Sequence, residues 1–209
     1  MNDTCLVYSI GIANQWSFDD ALGDLGCEVH SFDPTKNMLK AHYAHKHKGV
    51  HFHPWAIGST LPCHYNSAER VKSVYGELLS DFRSLSGIRR SLGHGRRRIS
   101  LLKIDCEGCE WDALFEAAQE SSPFLDHVDA LYLELHPNEA MQMRTEGDMI
   151  KMAVVYEHIF KRQGFQMWFW HNNHGKARAH RKLPRQMAQI PGAKAECCFE
   201  LALIRKRRV

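Results

Sequence analysis

The sequence lacks the features of a membrane-spanning chain, since no apolar stretch approaches the roughly 18 residues that a transmembrane helix needs. It also lacks a basic and then apolar signal peptide, because a strand-like segment at 6–10 begins almost at once. That abrupt start predicts either a minimal domain or a truncated gene product that has lost a targeting segment. There is no internal repeat and no second core, so we predict one domain over residues 1–209.

Zinc-type cysteine spacing is missing as well. The 209 residues contain seven cysteines, and the C-x-x-C formed by Cys106 and Cys109 has no second pair at zinc spacing. An odd number of cysteines in a chain of this size predicts free thiols in a reducing compartment. By default, this predicts a cytoplasmic protein.

Acidic side chains are scarce toward the end of the chain. The net charge is +3, yet residues 161–209 carry 12 Lys and Arg against two acids. Such a basic stretch could meet nucleic acid, anionic lipid or an acidic substrate. A solvated loop is the simpler interpretation, and we favour it.

Strand and helix patterns alternate along the chain, which predicts βαβ units and a mostly parallel sheet. An amphipathic pattern from Val71 to Leu85 predicts a helix. The last two strands, at 165–170 and 198–204, are joined without a helix and can therefore pair antiparallel. We expect the aromatic run 167–170 to be buried.

In an open α/β sheet, function lies at the carboxyl ends of the strands. After the first predicted strand, Gly11 and Ala13 allow a ligand to approach the backbone. Asp33 follows Gly11 by 22 residues, close to the offset of about 20 at which an acid holds ribose hydroxyls. Its alternative role is to cap the helix before Pro34, and the spacing favours ribose binding.

The glycine pattern distinguishes between nucleoside cofactors. A dinucleotide loop would have its third glycine at position 16, where this chain has Trp16. An indole there would obstruct helix packing beside a pyrophosphate. S-adenosylmethionine has no pyrophosphate, so the pattern favours that cofactor over NAD.

The clearest local motif follows the fourth main strand, where Asp105, Glu107 and Glu110 surround a glycine. This string resembles the D-x-E-G-x-E motif of FkbM-type methyltransferases and related methyltransferase-like proteins. The segments 7–12, 16–19, 32–34 and 197–201 also resemble that family. The likeness covers nearly the whole chain and is weakest over 59–98.

The resemblance implies a Rossmann-like class I methyltransferase fold, an α/β architecture whose seven-stranded, mostly parallel sheet has its last strand antiparallel. It also implies S-adenosylmethionine as the cofactor and a hydroxyl acceptor on a small molecule or glycan. The implied cofactor-binding residues at the strand ends are Ser9, Gly11, Ala13, Asp33, Ala56, Ile57 and Asp105. Ser9 departs from the family, which commonly has an acid there, so the methionine amine could instead meet Asp105 or backbone carbonyls.

A hydroxyl acceptor needs a base within hydrogen-bond reach. We take Asp105, Glu107 and His136 as the catalytic candidates, with Glu134 nearby. His136 has two open interpretations, a base that titrates near neutrality or a turn residue before Pro137. We expect Glu110 to begin the next helix, where an acid favours the dipole.

Two groups of residues have the side-chain types of metal ligands, but the sequence predicts no metal site at either. A divalent ion on Asp105 and Glu107 is conceivable, but the same spacing fits capping acids. The histidines between 42 and 53 lack a zinc spacing, so we interpret them as a solvated cluster.

The sequence thus predicts an S-adenosylmethionine-dependent methyltransferase acting on oxygen. Two alternatives stay open: a non-catalytic nucleoside-binding module, and a nucleic-acid methyltransferase that uses the basic C-terminal part. The segments 59–98 and 171–197 are the expected acceptor-side variable regions. The sequence leaves the acceptor and the oligomeric state open.

Overall fold

The computed structural model describes residues 5–58, 81–120, 123–136, 146–173 and 198–206. The strands in these ranges are β1 (Leu6–Ile10), β2 (Glu28–Phe32), β3 (Val50–His53), β4 (Ala56–Ile57), β5 (Phe82–Arg83), β6 (Ile99–Ile104), β7 (Val128–Leu135), β8 (Phe165–Asn173) and β9 (Cys198–Arg205). The α-helices are α1 (Ser17–Asp24), α2 (Leu39–Ala44), α3 (Leu85–Ser91), α4 (Cys109–Gln119) and α5 (Glu146–Tyr156). A π-helical stretch, Glu157–Arg162, continues α5. Most of the predicted 71–85 helix lies outside the described residues.

Seven strands form the main sheet in the order β3-β2-β1-β6-β7-β9-β8, and β4 pairs with β5 in a separate two-stranded sheet. All pairs in the main sheet are parallel except those of β9, which is antiparallel to both neighbours. This confirms the predicted fold class. The chain builds outward from β1 to β3 and then returns to β6 on the other side of β1. That reversal places a topological switch point, and hence a crevice, between the carboxyl ends of β1 and β6.

Helices cover both faces of the sheet, which explains why β1 is buried along its whole length. Tyr8 and alternate residues of β1 belong to the larger core, together with side chains of α3 and α4 such as Ile88 and Leu114. Val7 points the other way and packs with Val29 and Leu22 of α1. Side chains on β1 therefore alternate between an α3 face and an α1 face.

The prediction that residues 167–170 are buried is wrong. Trp168 is 70% exposed and Trp170 is 57% exposed, because β8 is the edge strand of the sheet. A bulge between Met167 and Phe169 also interrupts the β8–β9 register. An apolar run predicts a strand, but it does not tell how many of its faces are covered.

The free-thiol prediction is wrong for the five cysteines that the structure describes, Cys5, Cys27, Cys106, Cys109 and Cys198, all of which are disulfide-bonded. Cys5 is disulfide-bonded to Cys27, and Cys106 is disulfide-bonded to Cys109. The cytoplasmic prediction depended on free thiols, so these bonds remove its support. In the described part of the chain, no helix is long and apolar enough to cross a membrane.

The histidines between 42 and 53 do not form one solvated cluster. His42 is fully buried between Trp16 and Phe52, and His45 stacks on Trp16 with ring centroids 4.0 Å apart. His53 belongs instead to a group around β2. Sequence proximity grouped residues that the fold separates.

Candidate active site

The loop after β1 touches the loop after β6 backbone to backbone. Gly11 has φ +77°, and a Cβ built there would lie 1.6 Å from the carbonyl oxygen of Asp105. Its N–H donates to Phe32 O at 2.9 Å, and Asp105 N–H donates to Ile10 O at 3.0 Å. Only glycine fits this position, because both the torsion and the close approach exclude a side chain. The three strand ends are thus joined into one crevice wall.

Trp16 fills the place of the third glycine of a dinucleotide loop. Its ring is 9% exposed, and its indole N–H donates to Asn14 Oδ1 at 3.0 Å. Asn14 and Ala13 both have positive φ, at 59° and 44°. A mostly buried indole therefore occupies the position at which a dinucleotide loop would have its third glycine.

Asp33 lies at the end of β2 and binds the loop after β1. One carboxylate oxygen accepts from Ala13 N–H at 2.8 Å, and the other accepts from Thr35 N–H at 2.9 Å. Asp33 is 4% exposed. Each oxygen retains one lone pair, so the carboxylate can hold the loop and still accept from a diol. The bond to Thr35 N–H fits the capping interpretation, and ribose binding by Asp33 stays a prediction.

A buried acid stands beside Ser9, where the resemblance left an acid missing. Asp19 of α1 is 1% exposed and accepts from Ser9 Oγ at 3.3 Å and from Ser31 Oγ at 2.5 Å. Burial raises the pKa of Asp19, while the hydrogen bonds to Ser31 and Ser9 and the charge of Lys103 oppose the rise. Asp19 lies in the first turn of α1, and its side chain is buried against the sheet.

Ala56 and Ile57, the proposed adenine neighbours, form the short strand β4 and are both buried. Next to them, the guanidinium of Arg83 lies 3.7 Å above the Trp55 ring. Trp55 also packs near Phe32 at the end of β2. Sequence reasoning missed Trp55 and Arg83 because a stacked pair from separate segments leaves no local pattern.

The turn after β6 carries the acidic motif on a left-handed backbone. Glu107 has φ +58° and Gly108 has φ +113°, and residues other than glycine adopt such torsions at a cost of about 1 kcal/mol or more. Asp105 Oδ2 lies 3.9 Å from Lys103 Nζ. Lys103 also donates to Gly11 O at 3.3 Å. This turn points Asp105 and Glu107 into the crevice beside the first loop.

Glu110 and His136 form a buried clamp between the acidic turn and the end of β7. Glu110 is fully buried and His136 is 2% exposed. Glu110 Oε1 accepts from His136 N–H at 2.8 Å and from His136 Nδ1 at 2.9 Å, and Oε2 accepts from Gly108 N–H at 2.9 Å. Glu110 does lie in the first turn of α4, as expected. The sequence did not predict the bond between Glu110 and His136, because the two residues are 26 positions apart and meet only in the fold.

The charge state of His136 follows from that clamp. Burial by itself lowers the pKa of His136, but the hydrogen bond to Glu110 and the charges of Glu110, Glu107 and Asp105 outweigh it and raise the pKa to about 9. Glu107 and Glu134 lie 3.6 Å and 3.9 Å from Nε2. His136 is therefore an imidazolium at neutral pH.

Asp105 has the opposite perturbation. Burial raises the pKa of its carboxyl to about 7, with Glu134 and Glu107 adding to the rise and Lys103 and His136 opposing it. A carboxylate that titrates near neutrality is suited to general base catalysis. The site thus pairs an acid that titrates near pH 7 with a histidine whose pKa of about 9 keeps it charged at neutral pH.

The same turn offers one possible metal set. Potential ligand atoms of Asp105, Glu107 and His136 lie within 4.8 Å of one another. A protonated His136 has no lone pair for a metal. A metal ion there would have to displace the proton of His136.

Comparison with known proteins identifies the family. A family profile described as "Methyltransferase domain" matches residues 1–180. The chain belongs to this methyltransferase domain family. Probable methyltransferase-like protein 24 of Homo sapiens is 28% identical over 136 residues, which cover 65% of this chain and 33% of the relative. Its Rattus norvegicus counterpart is 30% identical over 133 residues, covering 63% and 33%. The chain spans about a third of the length of those two relatives.

Two solved structures align with most of this chain at TM-scores below 0.5. The N-terminal domain of EvdMO1, crystallised in the presence of SAH and D-fucose, aligns with TM-score 0.47 and 9% identity, covering 97% of this chain and 76% of that one. The bifunctional kinase-methyltransferase WbdD aligns with TM-score 0.46 and 12% identity, covering 99% and 36%. The fold assignment itself rests on the strand order and register described above.

Proposed function

We propose that this chain is an S-adenosylmethionine-dependent methyltransferase that acts on a hydroxyl group of a small molecule or glycan. The proposal is supported by family membership and by the electrostatics of the crevice. Acidic side chains at the ends of β6 and β7 outnumber the cations among them, Lys103 and His136. Such a crevice attracts a sulfonium cation and repels a pyrophosphate.

The single observation that carries the proposal is the backbone contact that sets Asp105 beside the glycine loop, with Asp105 N–H donating to Ile10 O at 3.0 Å. Burial at this position raises the pKa of the Asp105 carboxyl to about 7. Bound S-adenosylmethionine would supply an electrophilic methyl group on a cationic sulfur. Asp105 would remove the proton of the acceptor hydroxyl at the moment of attack. The gain expected from a positioned general base is roughly 10²–10⁴-fold.

Glu107 and His136 would position and charge that base rather than replace it. His136 is protonated over the neutral range, so it cannot accept a proton from the acceptor. Its cationic ring instead holds Glu107 in place and limits the repulsion between Glu107 and Asp105. Among the three catalytic candidates, the geometry therefore favours Asp105 as the base.

Ser9, Gly11 and Asp33 would form the cofactor side of the crevice. We propose that Asp19 takes the place of the missing first-strand acid, because its carboxylate holds the Ser9 and Ser31 hydroxyls under the loop. This network fixes the loop against which the cofactor would lie. The FkbM-type relationship is part of this proposal as well, since the matched family profile is described only as a methyltransferase domain.

The test is a methyl-transfer assay with labelled S-adenosylmethionine against a panel of glycans, small alcohols and oligonucleotides. We expect transfer to a hydroxyl of the first two classes. Asp105→Asn should then reduce turnover roughly 10²–10⁴-fold while leaving the affinity for S-adenosylhomocysteine within a few-fold.

Glu157→Gln is a matched control because Glu157 is half exposed and lies far along the chain from the acidic turn. Wild-type turnover should rise with pH through about 7. Unchanged turnover in Asp105→Asn, or transfer to oligonucleotides alone, would overturn this assignment.

A further inference from the structure

A second cluster of titratable side chains lies on the α3 face of the sheet, away from the acidic turn. The parallel register places Tyr8, His30 and His51 side by side on β1, β2 and β3. His94, in the loop between α3 and β6, closes over them, with its ring 4.9 Å from that of His30. Both His30 and His94 are 7% exposed. Nothing in the proposed methyl transfer uses these groups.

One carboxylate points between the two buried histidines. Glu28 Oε1 lies 2.9 Å from His30 Nε2 and 3.7 Å from His94 Nε2. Ligand atoms around a tetrahedral zinc ion, with bonds near 2 Å, are about 3.3 Å apart. The three ligand atoms already lie within 4.8 Å of one another. We propose that Glu28, His30 and His94 form a zinc-binding site.

The second nitrogen of each ring has a partner, which leaves Nε2 aimed at Glu28. His30 Nδ1 lies 2.8 Å from His53 Nε2, and His94 Nδ1 lies 2.8 Å from the Tyr8 hydroxyl. Metal-bound histidines almost always have such a bond on the ring nitrogen that does not bind the metal, because it fixes ring orientation and tautomer. The outer partners of a metal site are therefore in place along with its ligands.

The positive charge of Arg97 lies beside the Glu28 carboxylate, which a bound metal ion would otherwise neutralise. Its guanidinium donates to the second oxygen of Glu28 at 2.8 Å and lies 3.5 Å from His94 Nε2. The Arg97 side chain is 34% exposed, so it can swing into solvent when an ion enters.

The chemistry of the ligands selects the ion. Two imidazoles and one carboxylate suit zinc and other transition metals, whereas calcium and magnesium prefer oxygen ligands. The ion would connect the start of β2 to the loop that precedes β6. A water molecule would complete the tetrahedral shell of the ion. The site lies on the face and toward the amino end of β2 rather than at the carboxyl edge, so the ion would take no part in the proposed methyl transfer.

The experiment uses the full chain, stripped with a chelator and then titrated with zinc sulfate. Bound zinc is measured by elemental analysis after gel filtration, and cobalt is substituted to read the coordination geometry from its visible spectrum. We expect one zinc ion per chain at this site and a higher melting temperature with zinc. Tyr8→Phe should weaken zinc binding roughly 10–100-fold. His94→Gln and Glu28→Gln remove ligands, so they should weaken zinc binding by at least as much.

His47→Gln is the matched control, because His47 pairs with Asp24 on the surface, outside the cluster. It should bind zinc as the wild type does. Wild-type protein that takes up no zinc would overturn the proposal. Wild-type affinity in both Glu28→Gln and Tyr8→Phe would also overturn it, even if His94→Gln fails to fold. Loss of the ion in Glu107→Gln alone would place it at the acidic turn instead, which contradicts this site.

Discussion

Replacing Glu110 by Gln tests the buried clamp that holds the acidic turn. The pKa of His136 is raised from 6.5 to about 9, so its protonation stabilises the folded state by about 3 kcal/mol in full. Because the folded pKa is above the unfolded value, this stability is present below pH 6.5 and is lost as the pH rises through about 9. Glu110 supplies most of the effect, and Glu107 and Asp105 supply the rest.

We therefore expect Glu110→Gln to lower the free energy of unfolding by about 2–3 kcal/mol at pH 7, since it leaves a buried imidazolium without its counter-ion. The deficit should shrink at pH 9.5, where His136 is neutral in both proteins. The assay is urea unfolding followed by tryptophan fluorescence at several pH values. Trp111 is a suitable reporter, because its indole N–H donates to His136 O at 3.3 Å.

Two further variants make the result decisive. Glu157→Gln removes a half-exposed acid and should change stability by no more than about 0.5 kcal/mol at either pH. His136→Asn should remove the wild-type loss of stability between pH 7 and 9.5. If Glu110→Gln and the wild type show the same pH dependence over that range, the charged clamp is refuted.

The remaining predictions concern the cofactor side and the loop contact. Asp33→Ala should weaken binding of S-adenosylhomocysteine by roughly 1.5–3 kcal/mol in a calorimetric titration, and unchanged affinity in the folded variant would assign Asp33 to loop support alone. Gly11→Ala should destabilise by roughly 3–5 kcal/mol or prevent folding, because the new Cβ meets the Asp105 carbonyl. Gly26→Ala is the control for torsion alone, since its φ is +87° with nothing within 4 Å, and it should cost only about 1–2 kcal/mol. Equal effects of the two glycine changes, measured by thermal unfolding, would show that the close approach at Gly11 contributes nothing.

The sheet was predictable because the apolar composition of its central strands indicates that they are buried. Both β1 and β6 are mostly apolar, and β1 is buried at every position, as expected for a central strand covered on both faces. The sequence shows no helix pattern between the last two predicted strands, which indicated that they pair antiparallel, as β8 and β9 do. The exposure of Trp168 was not predictable, because an edge strand and a central strand have the same local composition.

The site was predictable only where it follows strand ends in sequence. Asp105 and Glu107 directly follow a buried strand, and the spacing between Gly11 and Asp33 is local to one βαβ unit. The Glu110–His136 clamp and the position of Asp19 depend on side chains meeting across the fold. The same limit applies to His30 and His94, which are 64 positions apart and meet only through strand register and loop closure.

The central claim is that the crevice binds S-adenosylmethionine and its demethylated product. The most direct measurement is a calorimetric titration of the chain with S-adenosylhomocysteine and, in parallel, with NAD. We predict that S-adenosylhomocysteine binds and raises the melting temperature by mass action, and that NAD does neither, because Trp16 occupies the turn and carboxylates surround the crevice. Binding of NAD without binding of S-adenosylhomocysteine would contradict the account.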